Sequence, residues 1–327
     1  MKRRADHALL DRAKRGKNDE FYTQMVDIER ELVHYRRHFA GKTVFCNCDD
    51  PRKSNFVRYF VREFHALGLK KLIASCCVKP RADLFSTFEP GLRYEYCGEE
   101  DPRIDQPVPL SGDGDFRSEE CVALLKEADI VVTNPPFSLF REYVAQLVEH
   151  GKKFLVIGNI NAITYKEIFG LIKENKVWMG VNMGRGISGF IVPDHYELYG
   201  LETCLNEAGE RIVSPNNCMW LTNLDLPSRH ESIPLTKCYS GHECEYARFD
   251  NYDAINVNRT NDIPSDYSGT MGVPITFLHK FNPEQFDIVR FRKGNDEKDL
   301  SINGVPTYFR ILIKPRRSDG TSYSAVV

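Results

Sequence analysis

The residues best suited to chemistry in this chain form the tetrapeptide Asn134-Pro135-Pro136-Phe137. The side-chain oxygen of Asn134 and the backbone carbonyl of Pro135 are two acceptors that can receive both hydrogens of an exocyclic amine. Such contacts localise a lone pair that ring conjugation otherwise withdraws, and so make the nitrogen nucleophilic. The two prolines fix φ and keep the oxygens in place, while Phe137 can stack on a flat ring. The pattern therefore predicts transfer of a small group to an aromatic amine.

The reaction that fits this chemistry best is methyl transfer from S-adenosylmethionine to N6 of adenine. Its sulfonium donor is already activated, and a base within a duplex must flip out to be reached. The tetrapeptide alone is also compatible with methylation of cytosine N4, of RNA adenine or of a protein glutamine. Serine in place of Asn134 is the commoner cytosine pattern, so adenine is favoured. Two inactive alternatives are a rigid strand-to-helix turn and a catalytically silent DNA-binding protein of the same fold.

The elements around the tetrapeptide predict an α/β fold. An unbroken apolar strand at 129–133 ends directly at Asn134, and a helix at 139–150 follows. Continuous apolar strands that alternate with helices predict a Rossmann-like parallel sheet covered on both faces. The other strands are expected at 43–46, 72–76, 93–97, 154–158, 177–181, 219–224, 275–278 and 309–313, and the other helices at 24–39, 54–67, 119–127 and 165–175.

A second polar loop, Asn47-Cys48-Asp49-Asp50-Pro51, follows the strand at 43–46 and is the predicted cofactor loop. Ligands of parallel sheets bind at the carboxyl ends of strands, so this loop and the Asn134 loop are expected on one edge. It lacks the usual glycines, and the alternative is an acidic turn that caps the next helix. Asp115 and Phe116 are candidates for contacts with the adenine of the cofactor, with an ordinary turn as their alternative.

The composition neither favours nor excludes a nucleic-acid partner, because the 327 residues carry a net charge of only −2. A local basic arm at 1–17 is the candidate for phosphate contacts, with a solvated tail as its alternative. Its proposed DNA-binding residues are Lys2, Arg3, Arg4, Arg12, Lys14 and Arg15. The ten cysteines form no pattern that predicts a zinc site. The absence of a long apolar run and of a signal core predicts a cytoplasmic location and no membrane contact.

Several runs resemble the EcoRI-type adenine-specific DNA methyltransferases, and together they span nearly the whole chain. Four lie near the two loops, namely residues 19–24, which read Asp-Glu-Phe-Tyr-Thr-Gln, residues 46–51, residues 53–56 and residues 134–137. Four more lie towards the C-terminus, at 271–278, 281–286, 302–304 and 310–313. The runs are long enough for the resemblance to be specific.

The resemblance implies a γ-type order, in which cofactor motifs precede the catalytic motif and a target-recognition region follows it. It implies that Phe21, Tyr22 and Thr23 lie on the cofactor side and that a glycine-free cofactor loop is normal. It also implies S-adenosylmethionine as the cofactor, duplex DNA with an AATT-centred palindrome as the substrate, and a cognate restriction endonuclease acting on the same site. The expected organisation is a catalytic domain at 1–225 and a target-recognition region at 226–327.

Overall fold

The computed structural model describes residues 21–77, 89–183, 186–193, 203–214, 217–292 and 300–316. The basic arm, with Lys2, Arg3, Arg4, Arg12, Lys14 and Arg15, lies outside the described residues. Two compact units divide the chain: unit 1 comprises Met1–Ala162 and Gly180–Leu224, and unit 2 comprises Ile163–Met179 and Asp225–Val327. No helix of the described ranges is long and apolar enough to cross a bilayer.

The described strands are β1 Tyr22–Thr23, β2 Thr43–Asn47, β3 Lys71–Cys76, β4 Leu92–Tyr96, β5 Val108–Pro109, β6 Ile130–Thr133, β7 Lys153–Asn159, β8 Trp178–Met183, β9 Phe190–Ile191, β10 Thr203–Leu205, β11 Arg211–Val213, β12 Cys218–Thr222, β13 Ile255–Asn256, β14 Met271–Pro274, β15 Phe286–Arg292, β16 Ser301–Ile302, β17 Val305–Pro306 and β18 Arg310–Pro315. The described α-helices are α1 Met25–Leu32, α2 Asn55–Arg62, α3 Phe64–Leu67, α4 Glu119–Glu127, α5 Phe140–Glu149 and α6 Lys166–Lys173. Most elements predicted for the first 224 residues are confirmed to within a few residues.

The large sheet of eight strands has the order β5-β4-β3-β2-β6-β7-β12-β8. Its centre, β3-β2-β6-β7, is parallel, as predicted from the continuous apolar runs. The prediction of a wholly parallel sheet is wrong, because β4, β5 and β12 pair antiparallel. Strand β4 shows the reason. Tyr94 and Tyr96 are buried while Glu95 between them is exposed, and this alternation is typical of an antiparallel strand with one face towards solvent. The fold is therefore a mixed α/β fold built on a large mixed sheet.

Two buried carboxylates fasten α1 to the segment at 181–188 of the same unit. Glu31 accepts hydrogen bonds from the backbone N–H groups of Val181 and Asn182, at 2.8 and 2.7 Å. One turn earlier, Asp27 accepts from the backbone and the hydroxyl of Ser188. Burial raises the pKa of both carboxyl groups, while these hydrogen bonds act in the opposite direction. The helix that follows the Phe21-Tyr22-Thr23 motif is thus held at two points.

A small antiparallel sheet, β1-β9-β11-β10, lies in unit 1 beside the large one. In it, Tyr22 pairs with Ile191 and Thr23 with Phe190. Pairing with β9 therefore fixes the motif at 21–23, which the sequence assigned to the cofactor side without assigning it an element.

Unit 2 contains a sheet of order β13-β14-β18-β15 and the hairpin β16-β17. The strand expected at 309–313 is confirmed as β18. The strand expected at 275–278 is wrong, because Ile275–Lys280 form a 3₁₀ helix and β14 ends at Pro274. Phe277 and Leu278 are both buried, so burial there does not follow the alternation of a strand. Proline also lacks the N–H that a continuing strand needs.

Candidate active site

The tetrapeptide lies where the sequence places it, at the carboxyl end of the central strand β6. Strand β6 is completely buried and ends at Thr133, and a 3₁₀ turn at Phe137–Leu139 leads into α5. Asn134, Pro136 and Phe137 are partly exposed, whereas Pro135 is buried. The loop is therefore a short, proline-stiffened connection between a rigid strand and a helix.

The orientation of the Asn134 amide is set by the motif at 21–23. Its Nδ2 donates a hydrogen bond to the backbone carbonyl of Phe21 at 2.7 Å. Its Oδ1 is buried and has no hydrogen-bond partner among the described residues. A buried acceptor without a donor costs about 1–3 kcal/mol, so the arrangement favours a ligand that supplies an N–H. An exocyclic amine is such a ligand.

Phe137 belongs to a cluster of three phenylalanines. Its ring stacks on that of Phe21 at 5.9 Å between centroids, with 17° between the planes. Phe190 of β9 meets both rings edge-on, at 5.9 Å from Phe137 and 6.0 Å from Phe21. Phe190 was missed by the sequence reasoning, since a lone phenylalanine in a short strand gives no functional signal. The cluster joins the two motifs that flank Asn134.

The predicted cofactor loop follows β2, on the sheet edge that also bears the Asn134 loop. Cys48 has φ of +68°, a left-handed conformation that usually calls for glycine. This residue turns the chain where glycine-rich loops would use a glycine. Asn47 is completely buried, and its Oδ1 accepts a hydrogen bond from the Ser75 hydroxyl at 3.1 Å. The Nδ2 of Asn47 is buried near the Tyr143 hydroxyl.

Asp49 links the cofactor loop to the catalytic loop. Its Oδ1 accepts from the hydroxyl of Ser54, the N-cap of α2, at 2.6 Å. Its Oδ2 lies 2.5 Å from the Thr133 hydroxyl, and the carboxyl also accepts from the backbone N–H of Asn134. Burial raises the pKa of Asp49 to about 7, against the effect of these hydrogen bonds and together with the nearby charge of Asp50.

The Thr133 hydroxyl contacts two acceptors, the Asp49 carboxyl and the backbone carbonyl of Asn47. A hydroxyl has one hydrogen and can donate to only one of them. Both contacts are satisfied when Asp49 is protonated, because its O–H then donates to Thr133 and Thr133 donates to Asn47. This geometry agrees with the raised pKa and identifies Asp49 as an internal link, which the sequence did not predict.

The rest of the loop and the motif at 21–23 meet at the start of α2. Asp50 binds the Arg52 guanidinium through two hydrogen bonds, at 2.9 and 2.8 Å, and these bonds lower the pKa of its carboxyl despite partial burial. Asn55 donates from its side-chain amide to the backbone carbonyl of Thr23 at 2.9 Å. The Lys53 ammonium lies 5.7 Å from the centre of the Tyr22 ring. Pro51, in the turn before Arg52, is buried.

The segment at 113–117 packs against the end of β3. Gly114 has φ of +81°, and a Cβ there would lie 2.3 Å from the carbonyl oxygen of Cys76, so only glycine permits this approach. The Asp115 carboxylate is held by Arg117 at 2.7 and 2.9 Å, which lowers the pKa of Asp115. Phe116 is buried edge-on against Tyr143 at 5.1 Å. A cofactor contact at Asp115 or Phe116 stays a prediction.

The described residues therefore bring the motif at 21–23, the loop at 47–51 and the tetrapeptide into direct hydrogen-bonded or ring contact. Asp115 and Phe116 directly follow Gly114, whose backbone packs against the end of the neighbouring strand β3. Thr133 and Ser54 were missed as parts of the site, although Thr133 directly precedes the tetrapeptide and Ser54 was expected as a helix cap. The geometry fits an acceptor loop for an amine and a polar loop for a cofactor.

Residues 9–316 match the protein family described as "Adenine-specific methyltransferase EcoRI". The chain belongs to this family. It is therefore a DNA methyltransferase specific for adenine, which decides against the cytosine and glutamine alternatives and against a silent DNA-binding protein.

The relatives of this methyltransferase are similar over almost their whole length. The type II methyltransferase M.EcoRI of Escherichia coli is 62% identical over 97% of this chain and 99% of its own. M.MgeORF184P of Mycoplasma genitalium and M.MpnI of Mycoplasma pneumoniae, also type II methyltransferases, are each 37% identical over 94% of this chain, and the matches cover 99% and 98% of those proteins. No solved structure matches the chain significantly. The names of these relatives support assignment of the chain to restriction–modification.

Proposed function

We propose that this methyltransferase transfers a methyl group from S-adenosylmethionine to N6 of an adenine flipped out of duplex DNA. The observation that supports this most directly is the Asn134 amide. Its nitrogen is bound to the Phe21 carbonyl, which leaves Oδ1 as a buried acceptor without a donor among the described residues. An adenine amino group would supply that donor.

In this proposal two oxygens receive the two N6 hydrogens, the Oδ1 of Asn134 and the carbonyl of Pro135. Both act as acceptors, so they draw the nitrogen towards tetrahedral geometry and free its lone pair. The lone pair would form the new bond to the methyl carbon as the sulfur–methyl bond breaks, which would leave the donor as a neutral thioether, and the proton released from the nitrogen would pass to solvent. The Asp49 carboxyl holds the loop in place, because it accepts a hydrogen bond from the Asn134 backbone N–H and contacts the Thr133 hydroxyl.

The residues present are suited to S-adenosylmethionine. The Oγ1 of Thr23, in the motif at 21–23, is a buried polar atom without a partner among the described residues, and the Nδ2 of Asn47, in the loop at 47–51, is also buried. Phe21, Tyr22, Cys48, Asp50 and Asp115 are partly exposed. When bound, the cofactor supplies an electrophilic methyl group on a sulfonium. Residues 21–23 and 47–51 would hold it, with Asp115 and Phe116 as further candidates.

Phe137 is proposed to stack on the extruded base. Its ring is packed against Phe21 and Phe190 in this structure, so a base that stacks on the same face would replace those contacts with its own. An aromatic stack is worth about 0.5–1.5 kcal/mol beyond the area it buries, so this exchange is nearly balanced. The enzyme would therefore admit a base without a large opening cost.

The remaining parts of the proposal concern DNA and its sequence. Residues 1–225 are proposed as a Rossmann-like catalytic domain, with the basic arm at 1–17 on phosphates, and residues 226–327 as the target-recognition region. The resemblance supports an AATT-centred palindrome, a cognate endonuclease that acts on the same site, and work in the cytoplasm. Base-edge contacts select the adenine, and these belong to the recognition region rather than to the tetrapeptide.

The test is methyl transfer by purified protein to duplex DNA, with isotope-labelled S-adenosylmethionine and mass spectrometry of the digested nucleosides. We expect label in N6-methyladenine, and its loss with Asn134→Ala while DNA affinity stays near the wild-type value. Asn161→Ala, which changes an exposed asparagine beyond β7, is the matched control. Label on cytosine, or an unchanged rate in Asn134→Ala, would contradict the proposal.

A further inference from the structure

Unit 2 contains an arginine that is surrounded by neutral oxygens. Arg310, at the start of β18, donates from Nε to the Oδ1 of Asn256 at 2.9 Å and from Nη2 to the Oδ1 of Asn258 at 3.4 Å. Its Nη1 donates to the carbonyls of Tyr308 and Phe309, at 3.4 and 3.3 Å. Burial lowers the pKa of Arg310. No described carboxylate lies within ion-pair distance of it.

This surrounding is unusual for a half-buried cation. Neutral oxygens fix the guanidinium in place but leave its charge unbalanced, and proteins generally pair buried charges with anions. Two exposed arginines of the same unit have a carboxylate partner: Arg248 pairs with Asp253 at 3.0 Å, and Arg316 pairs with Asp287 at 2.7 Å. The buried Arg229 instead lies over the Trp178 ring, 3.5 Å from its centre. The Arg310 site is therefore positive and lacks an anion.

Asn258 shows which hydrogen-bonding groups the cluster offers to a ligand. Its Oδ1 already accepts from Arg310 and from the Nδ2 of Asn256, the latter at 2.9 Å. These two bonds orient the amide, so that the exposed side chain has its Nδ2 hydrogens left to donate. Arg310 keeps one N–H on Nη2. The cluster thus combines N–H donors with a positive charge and matches an anion with several acceptor oxygens.

We propose that Arg310 and Asn258 bind a phosphodiester of the DNA backbone. This inference rests on the proposed function, which supplies duplex DNA as the polyanion. A planar guanidinium with a neighbouring amide suits two phosphate oxygens. The exposed Tyr308, whose ring stacks on Phe309 at 4.7 Å, adds a flat apolar surface beside the cluster. Such a contact would fix the register of the enzyme on DNA without reading a base.

The test is Asn258→Asp, which changes the charge of the cluster while preserving its shape. The new carboxylate can still accept from Arg310 and Asn256, so the fold keeps both hydrogen bonds and gains an ion pair. The substitution also neutralises the charge of the Arg310 guanidinium and removes the two N–H donors of the Asn258 amide. We expect the dissociation constant for duplex DNA to rise on the order of tenfold, the value of one charge-assisted hydrogen bond.

The salt dependence of DNA binding and the unfolding temperature of Asn258→Asp show whether a lost phosphate contact causes the weaker binding. Loss of one phosphate contact should reduce the slope of log K against log salt by about 0.9, equally for target-bearing and unrelated duplexes. The unfolding temperature should stay at the wild-type value or rise. Arg316→Gln, which removes an arginine already paired with Asp287, is the control and should leave the salt slope unchanged.

Two results would overturn the inference. One is wild-type affinity and slope in Asn258→Asp, and the other is weakening confined to the target duplex, which would indicate a base contact. Wild-type methyl transfer is measured on the same duplex. If the wild type labels adenine while Asn258→Asp binds normally, only this inference fails. If the wild type labels no adenine, the proposed function itself fails.

Discussion

Exchange of one atom at the catalytic loop gives the sharpest prediction. Asn134→Asp replaces Nδ2, which lies 2.7 Å from the Phe21 carbonyl, by an oxygen. The hydrogen bond is lost, and two acceptors face each other in a buried place. Without this bond the acceptor oxygen is no longer held against N6. Loss of a hydrogen bond of about 1–3 kcal/mol to the reacting nitrogen, at 1.36 kcal/mol for each tenfold in rate, should lower the methyl-transfer rate roughly 5- to 150-fold.

The same variant should depend on pH in a defined direction. A proton on the introduced carboxyl would restore a donor to Phe21 and leave the other oxygen free to accept from N6. Burial raises the pKa of a carboxyl, so single-turnover rates should recover as the pH falls from about 8 to 5.5. Asn134→Ala, which lacks both atoms, should fall by about 10²–10³ and show no such recovery. Wild-type rates for Asn134→Asp at pH 8, or a rate that falls on acidification relative to the wild type, would refute the reasoning.

Three further predictions concern neighbouring residues. Phe137→Ala should reduce the fluorescence rise of 2-aminopurine placed at the target position, because the flipped base loses its stacking partner; an unchanged response would exclude that role. Asp49→Asn should remove a pH dependence of stability: a carboxyl whose folded pKa is raised from 3.8 to about 7 stabilises most at low pH and loses that contribution as the pH rises through 7. The free energy of unfolding of the wild type minus that of Asp49→Asn, from urea titrations, should therefore decrease between pH 4 and 7, and a constant difference would contradict the assignment. Cys48→Gly should keep its unfolding free energy within about 1 kcal/mol, whereas Cys48→Val should lose roughly 1–3 kcal/mol at φ +68°; equal effects would show that the conformation is not strained.

Local patterns predicted the elements of unit 1 well because its central strands are continuous apolar runs. The strand at 129–133 and the helix at 119–127 follow directly from such patterns, and Ser54 capped its helix as expected. Strand direction was harder to predict, since β12 has the same apolar character as the parallel strands and still runs antiparallel to β7. Direction depends on the path of the chain between strands, which composition does not record.

The candidate site was predictable to the level of motifs and not to the level of contacts. The types of Asn134 and Phe137 indicated an acceptor and a stacking ring. The contact that orients the Asn134 amide comes from a backbone carbonyl 113 residues earlier in the chain, so no side-chain pattern can signal it. Asp49 illustrates the same limit: its acidic type suggested a cofactor ligand, which stays a prediction, but no pattern in the sequence indicated that it also links two loops.

The central claim is that the Asn134 loop methylates N6 of a particular adenine. The most direct measurement is base-resolved sequencing, with a readout for N6-methyladenine, of DNA from cells that express either the wild type or Asn134→Ala. We predict N6-methyladenine at one palindromic, AATT-centred site in the wild-type sample and none in the variant sample. Unmodified adenine in both samples, or the same modified sites in both, would contradict the claim.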